Sequence, residues 1–522
     1  MKSQKKMKPG KVFLVGAGPG DPGLITVRGL SLVQSADVLV YDALGAGTFI
    51  EYARPDAELI DAGKRSGKHT LTQEEINSVL VKKAKEGKTV VRLKGGDPMI
   101  FGRGGEELEF MLANGVKDFE VVPGISSSIA GPVYAGIPVT HRRFTSEVAI
   151  VTGHEADIRD KDPSQIEKRD RPPDPIPWKA LAPLRTLVFL MGVRQLPQIV
   201  KNLLAEGKSK TTPVALIEQA TTPLQRTVTG TLETICKIAE KAEIKPPSII
   251  VIGKVVGLRE TLSWFEKKPL FGKKIVVTRS RAQAGEFCRT LETLGAKVFP
   301  LPTIRIEKIK PNLQFEKFLK KIDKVKYLIF TSVNGVEAFW ENFTEARCDA
   351  RDLYGKKIIC IGPVTAEAFE RKGIFPDFVP QTFVAEHILP YFNRKKPEEV
   401  AILRAETARD ILPDTLRKKG WTVEVIVLYR TVSEKVEDAR PLELLKDGKI
   451  DAVTFTSSST VDHFMTMVKK ERIKPATVPA VSIGPITSDT CRENKFKLLG
   501  TAKTHTIPGL VEKLLELFKK KR

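Results

Sequence analysis

Val15-Gly-Ala-Gly-Pro-Gly-Asp-Pro22 follows the apolar run Val12–Val15 and precedes a stretch with helical spacing. A strand that ends in glycines and opens toward a helix is the elementary unit of an α/β fold, with its turn at the carboxyl edge of a sheet. The turn almost fits the dinucleotide fingerprint Gly-x-Gly-x-x-Gly, but Asp21 stands where the last glycine would. Pro19 and Pro22 also remove two backbone N–H donors that a pyrophosphate would need, so NAD binding is rejected. Standing alone, the motif is no more than a strand-to-helix turn.

It does not stand alone. Arg92-Leu-Lys-Gly-Gly-Asp-Pro-Met-Ile-Phe-Gly-Arg-Gly-Gly-Glu-Glu107 follows a second β-rich run, and Val121-Val-Pro-Gly-Ile-Ser-Ser-Ser128 a third. Three glycine-containing loops at strand carboxyl ends are expected to converge on one crevice of an open parallel sheet. Gly95 and Gly96 allow the backbone to approach a ligand closely, and Asp97 offers an acceptor for hydroxyl or amino groups. Further strands are expected at Val38–Tyr41, Val90–Leu93, Glu120–Val122, Val148–Thr152, Thr186–Met191, Val214–Glu218 and Ile249–Ile252. Thr72, three residues before Glu75, reads as a helix N-cap with its capping box. Thr140–Glu147 reads as an internal hinge, and the proline-rich Asp157–Pro177 as a surface insertion.

A boundary falls at Ser263–Gly272, where charge, proline and glycine interrupt the pattern as a linker does. A second α/β series follows, with strands expected at Lys274–Thr278, Lys297–Phe299, Tyr327–Thr331, Lys357–Ile361, Val400–Leu403, Glu424–Leu428, Ala452–Thr456 and Ala480–Ile483. It contains an internal repeat. Phe330-Thr-Ser-Val-Asn-Gly-Val336 recurs as Phe455-Thr-Ser-Ser-Ser-Thr-Val461, and Ile361-Gly-Pro-Val-Thr-Ala366 as Ile483-Gly-Pro-Ile-Thr-Ser488. Two similar lobes with a cleft are implied.

The 522 residues exceed one ordinary domain core, and 41% hydrophobic with 28% charged residues is a globular composition. No apolar run approaches the roughly 18–20 residues that cross a bilayer. The run after the basic start is too short for a signal peptide, so a cytoplasmic protein is expected. Five scattered cysteines without a C-x-x-C pair and six dispersed histidines support neither a disulfide framework nor a metal site. The net charge of +22 fits a lysine-rich surface or a polyanionic small ligand. Nucleic acid is disfavoured because helix-turn-helix, zinc-finger and RNP signatures are missing.

Residues 10–262 are identified as a member of the tetrapyrrole methylases, and more narrowly resemble the uroporphyrinogen III C-methyltransferases. The resemblance rests on the three glycine loops, on Gly63-Lys-Arg-Ser-Gly-Lys-His69, on Gly136-Ile-Pro-Val-Thr-His-Arg142 and on Thr152-Gly-His154. It implies two methyl transfers from S-adenosylmethionine to pyrrole carbons of uroporphyrinogen III, giving precorrin-2. Carried over by position, the donor touches Pro19, Gly95, Gly96, Asp97, Ile100, Ser126, Ser127, Met191 and Ala220. Ala220 stands in Glu218-Gln-Ala-Thr221, where the family more often reads Glu-Asn-Gly-Thr. Asp42 is the implied base and Lys64 the implied acid. A pyrrole carbon attacks the sulfonium methyl itself, so positioning and proton handling carry the rate. Lys64, Arg65 and Lys68 suit acetate and propionate arms, and Arg92 and Arg103 suit bidentate pairing with them.

Residues 273–518 resemble the uroporphyrinogen III synthases through the two repeated blocks, Ile275-Val-Val-Thr-Arg279, Arg404-Ala-Glu-Thr-Ala-Arg-Asp410, Val427-Leu-Tyr-Arg-Thr431 and His505-Thr-Ile-Pro-Gly-Leu510. The implied reaction cyclises hydroxymethylbilane with inversion of its last pyrrole ring, ring D, and loss of water. Tyr429 is the implied proton donor. Ser332, Asn334, Thr365, Ser457, Ser458 and Thr487 are substrate-binding candidates, and the hydroxyls among them also suit helix N-caps.

The fold expected is α/β, a two-lobed methylase followed by a two-lobed synthase with Rossmann-like, flavodoxin-like parallel sheets. The lobes are expected at 10–142 and 143–262, then, after a linker at 263–272, at 273–305 with 432–522 and at 306–431. Pro302–Glu307 and Leu428–Ser433 are the expected connectors. The partners are anionic tetrapyrroles, with a homodimer through the first half, no membrane and no metal. Two other readings stay open: an active methyltransferase joined to a structural or regulatory lobe pair, and an RNA methyltransferase. The latter lacks stacking aromatics on an RNP-like strand in the second half.

Overall fold

The computed structural model of the chain describes residues 10–42, 47–63, 71–153, 176–279, 281–310, 312–380, 385–393, 395–408, 410–434, 436 and 438–519. The chain forms two compact units. The first is Met1–Lys273 with Leu291–Lys297 and Phe518–Arg522, and the second is Lys274–Thr290 with Val298–Leu517.

In the first unit, β1 (Val12–Gly16), β2 (Val38–Tyr41), β3 (Glu58–Asp61), β4 (Val90–Lys94) and β5 (Phe119–Val122) make one sheet. Its order is β3-β2-β4-β1-β5 and every neighbouring pair is parallel. Helices α1 (Val27–Ser35), α2 (Gln73–Lys85), α3 (Gly104–Ala113) and α4 (Ser127–Tyr134) follow strands of this sheet. Because side chains alternate along a strand, Val12, Leu14, Val38, Val40 and Val90 pack with Ile76, Leu80 and Met111 of α2 and α3. Their neighbours Phe13, Val15, Leu39, Val91 and Leu93 pack with Val33 of α1 and with Phe49. The same alternation puts Arg92 and Lys94 on the α2–α3 face with Val90. Thr72 caps α2 as expected, its hydroxyl accepting from Glu75 N at 3.2 Å while Thr72 N donates to the Glu75 carboxylate at 2.6 Å.

Next come β6 (Ala149–Thr152), β7 (Leu187–Leu190), β8 (Pro213–Glu218), β9 (Arg226–Thr231) and β10 (Ser248–Ile252), ordered β6-β7-β10-β8-β9. Only β6 and β7 are parallel; the other pairings are antiparallel. The short connection from β8 to β9 permits only a hairpin.

The second unit holds β11 (Lys274–Val277), β12 (Lys297–Pro300), β13 (Ile304–Lys308), β14 (Tyr327–Phe330), β15 (Lys357–Cys360), β16 (Glu399–Ala405), β17 (Thr422–Ser433), β18 (Ala452–Phe455), β19 (Pro479–Ser482) and β20 (Lys497–Thr501). They form two five-stranded sheets, β12-β11-β18-β19-β20 and β13-β17-β16-β14-β15. β17 is parallel to β16 along its first part, and its last residues pair antiparallel with β13, from Tyr429↔Lys308 to Ser433↔Ile304.

The strands missing from the sequence reading are β3, β9 and β20, with β13 expected only as a connector, and all four lie at sheet edges. Their sequences mix charge, threonine and glycine with few apolar residues, as edge strands do. Thr140–Glu147, expected as a hinge, contains a tight turn in which His141 N and Thr145 N donate to each other's carbonyls. Asp157–Pro177 lies outside the described residues except for its last two.

Ser263–Gly272 is no loose tether. Phe265 is buried, with its ring centroid 4.7 Å from that of Tyr134 and 5.4 Å from that of Phe271, and Trp264 lies 5.0 Å from Tyr134. Glu266 accepts from Gln225 and Thr227 at 2.9 and 2.7 Å and pairs with Arg259 at 2.5 Å. The polar composition that marked a boundary is therefore spent on hydrogen bonds. Replacing Phe265 by alanine should cost the first unit about 3–5 kcal/mol, read as a lower urea midpoint, whereas a free linker would leave the midpoint unchanged.

Candidate functional site

The carboxyl ends of β1, β4 and β5 meet backbone against backbone. A Cβ on Gly16 would sit 2.5 Å from Gly124 Cα, and one on Gly124 would sit 2.3 Å from the Gly96 carbonyl oxygen. Gly18 N donates to Gly96 O at 3.2 Å and Gly96 N to Gly18 O at 2.7 Å. Asp97 staples the junction, one carboxylate oxygen accepting from Gly124 N at 3.0 Å and the other from Met99 N at 2.8 Å. Asp97 therefore has a structural role, and each of its carboxylate oxygens can accept a further bond.

The loop after β8 closes on the first glycine turn. Asp21 N donates to Thr221 Oγ1 at 3.2 Å, Tyr134 donates its hydroxyl to Asp21 at 2.7 Å, and a Cβ on Gly20 would lie 2.9 Å from Thr222 Cγ2. This brings the Pro19 turn beside Ala220. The Ala220 methyl is buried and lies 3.1 Å from where a Cβ on Gly131 would be, so it packs toward α4. The departure from glycine at 220 is absorbed by a glycine in the helix.

Ser126 caps α4 and shares a 2.9 Å bond with Ser128, and Ser127 opens the helix. Ile100 and Met191 are 41% and 55% exposed at strand-end loops. Phe101, Arg103, Met191, Gln219 and Thr221 are non-glycine residues with left-handed φ of 46° to 68°, all in the loops after β4, β7 and β8. Each such residue costs of order 1–3 kcal/mol, and functional sites are where such strain is retained.

Asp42, expected as a base, follows β2 beside this junction, its N–H donating to Leu93 O at 3.2 Å. Its carboxylate accepts from Arg92 Nη2 at 2.6 Å. Arg92 Nε donates to Glu107 at 3.3 Å, and the same Glu107 oxygen accepts from Lys94 at 2.6 Å and from Gln73 at 3.1 Å. The second Glu107 oxygen is buried without a partner among the described residues. Burial holds the Lys94 ammonium below the ordinary lysine value, and the Arg92 charge adds to this, while Glu107 acts the other way. Arg92 is therefore spent on Asp42 and Glu107 rather than open to an acidic ligand, which corrects the expectation for it. Arg103 also has a partner, Nε lying 3.0 Å from both Glu106 oxygens. Lys64, Arg65 and Lys68 lie outside the described residues. Lys94 and Glu107 were missed; for Lys94 the signal was a second charge, two residues after Arg92, in one buried strand, Val-Val-Arg-Leu-Lys.

In the second unit, Tyr429 is buried and bonded to Ser332 at 2.9 Å, and Ser332 in turn accepts from Gly335 N as the N-cap of Val333–Glu345. Burial pushes the Tyr429 phenol above its ordinary value, with bonds to Ser332 and Asn334 opposing. Three candidates are thus brought together. The repeat is visible in the backbone, because Ser332 and Ser457 cap helices after β14 and β18, and Gly362 and Gly484 do so after β15 and β19. Ser457 accepts from Thr460 N at 3.3 Å and Ser458 from Thr490 at 2.8 Å. Thr365 and Thr487 are the remaining two candidates of this half. Each is third in its helix and buried, and the residues before them, Val364 and Ile486, are 51% and 59% exposed.

The model of the tetrapyrrole (corrin/porphyrin) methylases matches residues 11–236, and that of uroporphyrinogen-III synthase HemD matches residues 285–512. The chain is similar to the porphyrin biosynthesis protein HemD of Ruminiclostridium josui, at 38% identity over 98% of this chain and 99% of that one. It is 51% identical to the uroporphyrinogen-III C-methyltransferase of Priestia megaterium over 47% of this chain and 98% of that protein. It is 50% identical to the S-adenosyl-L-methionine-dependent uroporphyrinogen III methyltransferase of Methanosarcina barkeri, over 48% and 94% of the two chains.

The glycine junction makes a contrast testable. Gly16→Ala should destabilise the first unit by about 1–3 kcal/mol in urea unfolding, because its Cβ has no room. Gly105→Ala, in α3 with nothing within 4 Å of its Cβ, should be neutral or stabilise by up to about 1 kcal/mol. Equal effects would show that the close approach carries no load.

Proposed function

We propose, since the chain belongs to the tetrapyrrole (corrin/porphyrin) methylases over residues 11–236 and to the uroporphyrinogen-III synthases over residues 285–512, that its halves perform two consecutive steps of tetrapyrrole biosynthesis. The second half closes hydroxymethylbilane to uroporphyrinogen III with inversion of ring D. The first half methylates that product twice to precorrin-2. The same reading has a cytoplasmic homodimer joined through the first half, and the charge of +22 on each chain draws in carboxylate-rich substrates.

The observation that carries this reading is the meeting of three glycine loops beside an ion-paired carboxylate. S-adenosylmethionine, when bound, supplies an electrophilic methyl on sulfur. The residues present fit such a donor: a Cβ on Gly96 would have its nearest neighbours only at 3.9–4.0 Å, toward Ser126 and Ser127, and Ile100 and Met191 offer exposed apolar surface to an adenosine. Pro19, Gly95, Gly96, Asp97, Ile100, Ser126, Ser127, Met191 and Ala220 would hold it. Each transfer forms one carbon–carbon bond, breaks one carbon–sulfur bond and releases one proton from the tetrapyrrole. Asp42 is the acceptor for that proton, Lys64 the acid, and Arg65 the partner of the substrate's carboxylates.

In the synthase half, Tyr429 donates a proton to the departing hydroxyl, which leaves as water, and ring closure returns a proton. Burial keeps the phenol protonated at neutral pH and so able to donate. Ser332 and Asn334 orient the phenol, and Ser457 and Ser458 offer hydroxyls at the equivalent strand end.

Hydroxymethylbilane given alone should yield the type III isomer, and with S-adenosylmethionine the dimethylated product. Only the type I isomer, the outcome of unassisted closure, would sink the synthase assignment. Asp42→Asn should slow methyl transfer by about 100-fold or more and spare cyclisation. Tyr429→Phe should slow cyclisation by roughly 10–100-fold and spare methyl transfer from supplied uroporphyrinogen III.

A further inference from the structure

The geometry points to Arg92, clamped by Glu107, as the positioning residue of Asp42, an inference that rests on Asp42 being the proton acceptor proposed above. The guanidinium spans two carboxylates, Nη2 to Asp42 at 2.6 Å and Nε to Glu107 at 3.3 Å. The arginine side chain is 3% exposed and Glu107 is 0% exposed, whereas Asp42 keeps 27% of its side chain in contact with solvent. One end of the chain of charges is thus sealed in the protein and the other reaches the strand edge where the glycine loops meet.

Stability does not account for this arrangement. Burying two cations and an anion costs more than packing apolar side chains of the same size, and the neighbouring position on the same face of β4 is valine. Lys94 supplies the second positive charge, bonding Glu107 at 2.6 Å, so that two acids and two bases balance. What the group gains is a carboxylate whose orientation is fixed. Asp42 cannot turn away without giving up a short charge-assisted bond, and Arg92 cannot follow it without leaving Glu107. Lysine at 92 could not replace it, because a single ammonium lacks the rigid fork that reaches two carboxylates at once.

The test is a double-mutant cycle on the full chain, with kcat and KM for methyl transfer measured separately and S-adenosylhomocysteine binding followed by calorimetry. Arg92→Met should lower kcat by roughly 30–100-fold, with KM and the Kd for S-adenosylhomocysteine changed less than about 3-fold. Glu107→Gln, nearly isosteric, should act in the same direction and carries the test should Arg92→Met fail to fold. In an Asp42→Asn background either change should cost less than about 3-fold more, because its effect passes through a carboxylate already removed. Losses that multiply in the double variant, or that fall equally on ligand binding, would mean a merely structural ion pair and overturn the inference. A fully active Asp42→Asn overturns the base assignment together with the inference, whereas an inactive Asp42→Asn beside a fully active Arg92→Met overturns the inference alone.

Discussion

Three backbones touch where Gly16, Gly96 and Gly124 stand at or just after the ends of their strands, at separations that a Cβ on Gly16 or Gly124 would not permit. The methylase half is organised around that contact. It lets the loops after β1, β4 and β5 share one edge, lets Asp97 bond across them, and sets Asp42 beside the same edge through its bond to Leu93. A sheet of this order could carry almost any chemistry. This one is committed by the lack of a few β-carbons, which leaves main-chain groups rather than side chains to meet a ligand.

The synthase half solves its problem by duplication. A strand, a capping serine and a helix, then a neighbouring strand, a capping glycine and a helix, occur in each of its two sheets. In one copy the serine gains Tyr429 as a partner; in the other the adjoining hydroxyls bond one another. The same frame is thus kept twice and specialised once.

Much of this was legible in the residues. Central strands announced themselves as continuous Val, Ile and Leu runs, and glycine loops after them marked close backbone approach. The edge strands β3, β9 and β20 did not, because one side of an edge strand needs no apolar complement and theirs are polar. The site was harder. Arg92 reads as a ligand for an acidic substrate only while burial is ignored, and Glu107 cannot be told from Glu106 without the phase of α3. The same loss of phase hid that Thr365 and Thr487 are buried in their first helical turns while Val364 and Ile486 are exposed beside them. At Ser263–Gly272 the boundary was legible but the packing was not, because composition records polarity and not the partners that satisfy it.

Ala220 and Gly131 share a single methyl's worth of space, with the end of Ile249 closing the third side. Drift at 220 is therefore metered by a helix and by a strand of the other sheet before any ligand has a say. Among homologues, an alanine there is expected to travel with a glycine at 131, so that covariation at this pair records packing and carries no information about which donor or substrate is bound.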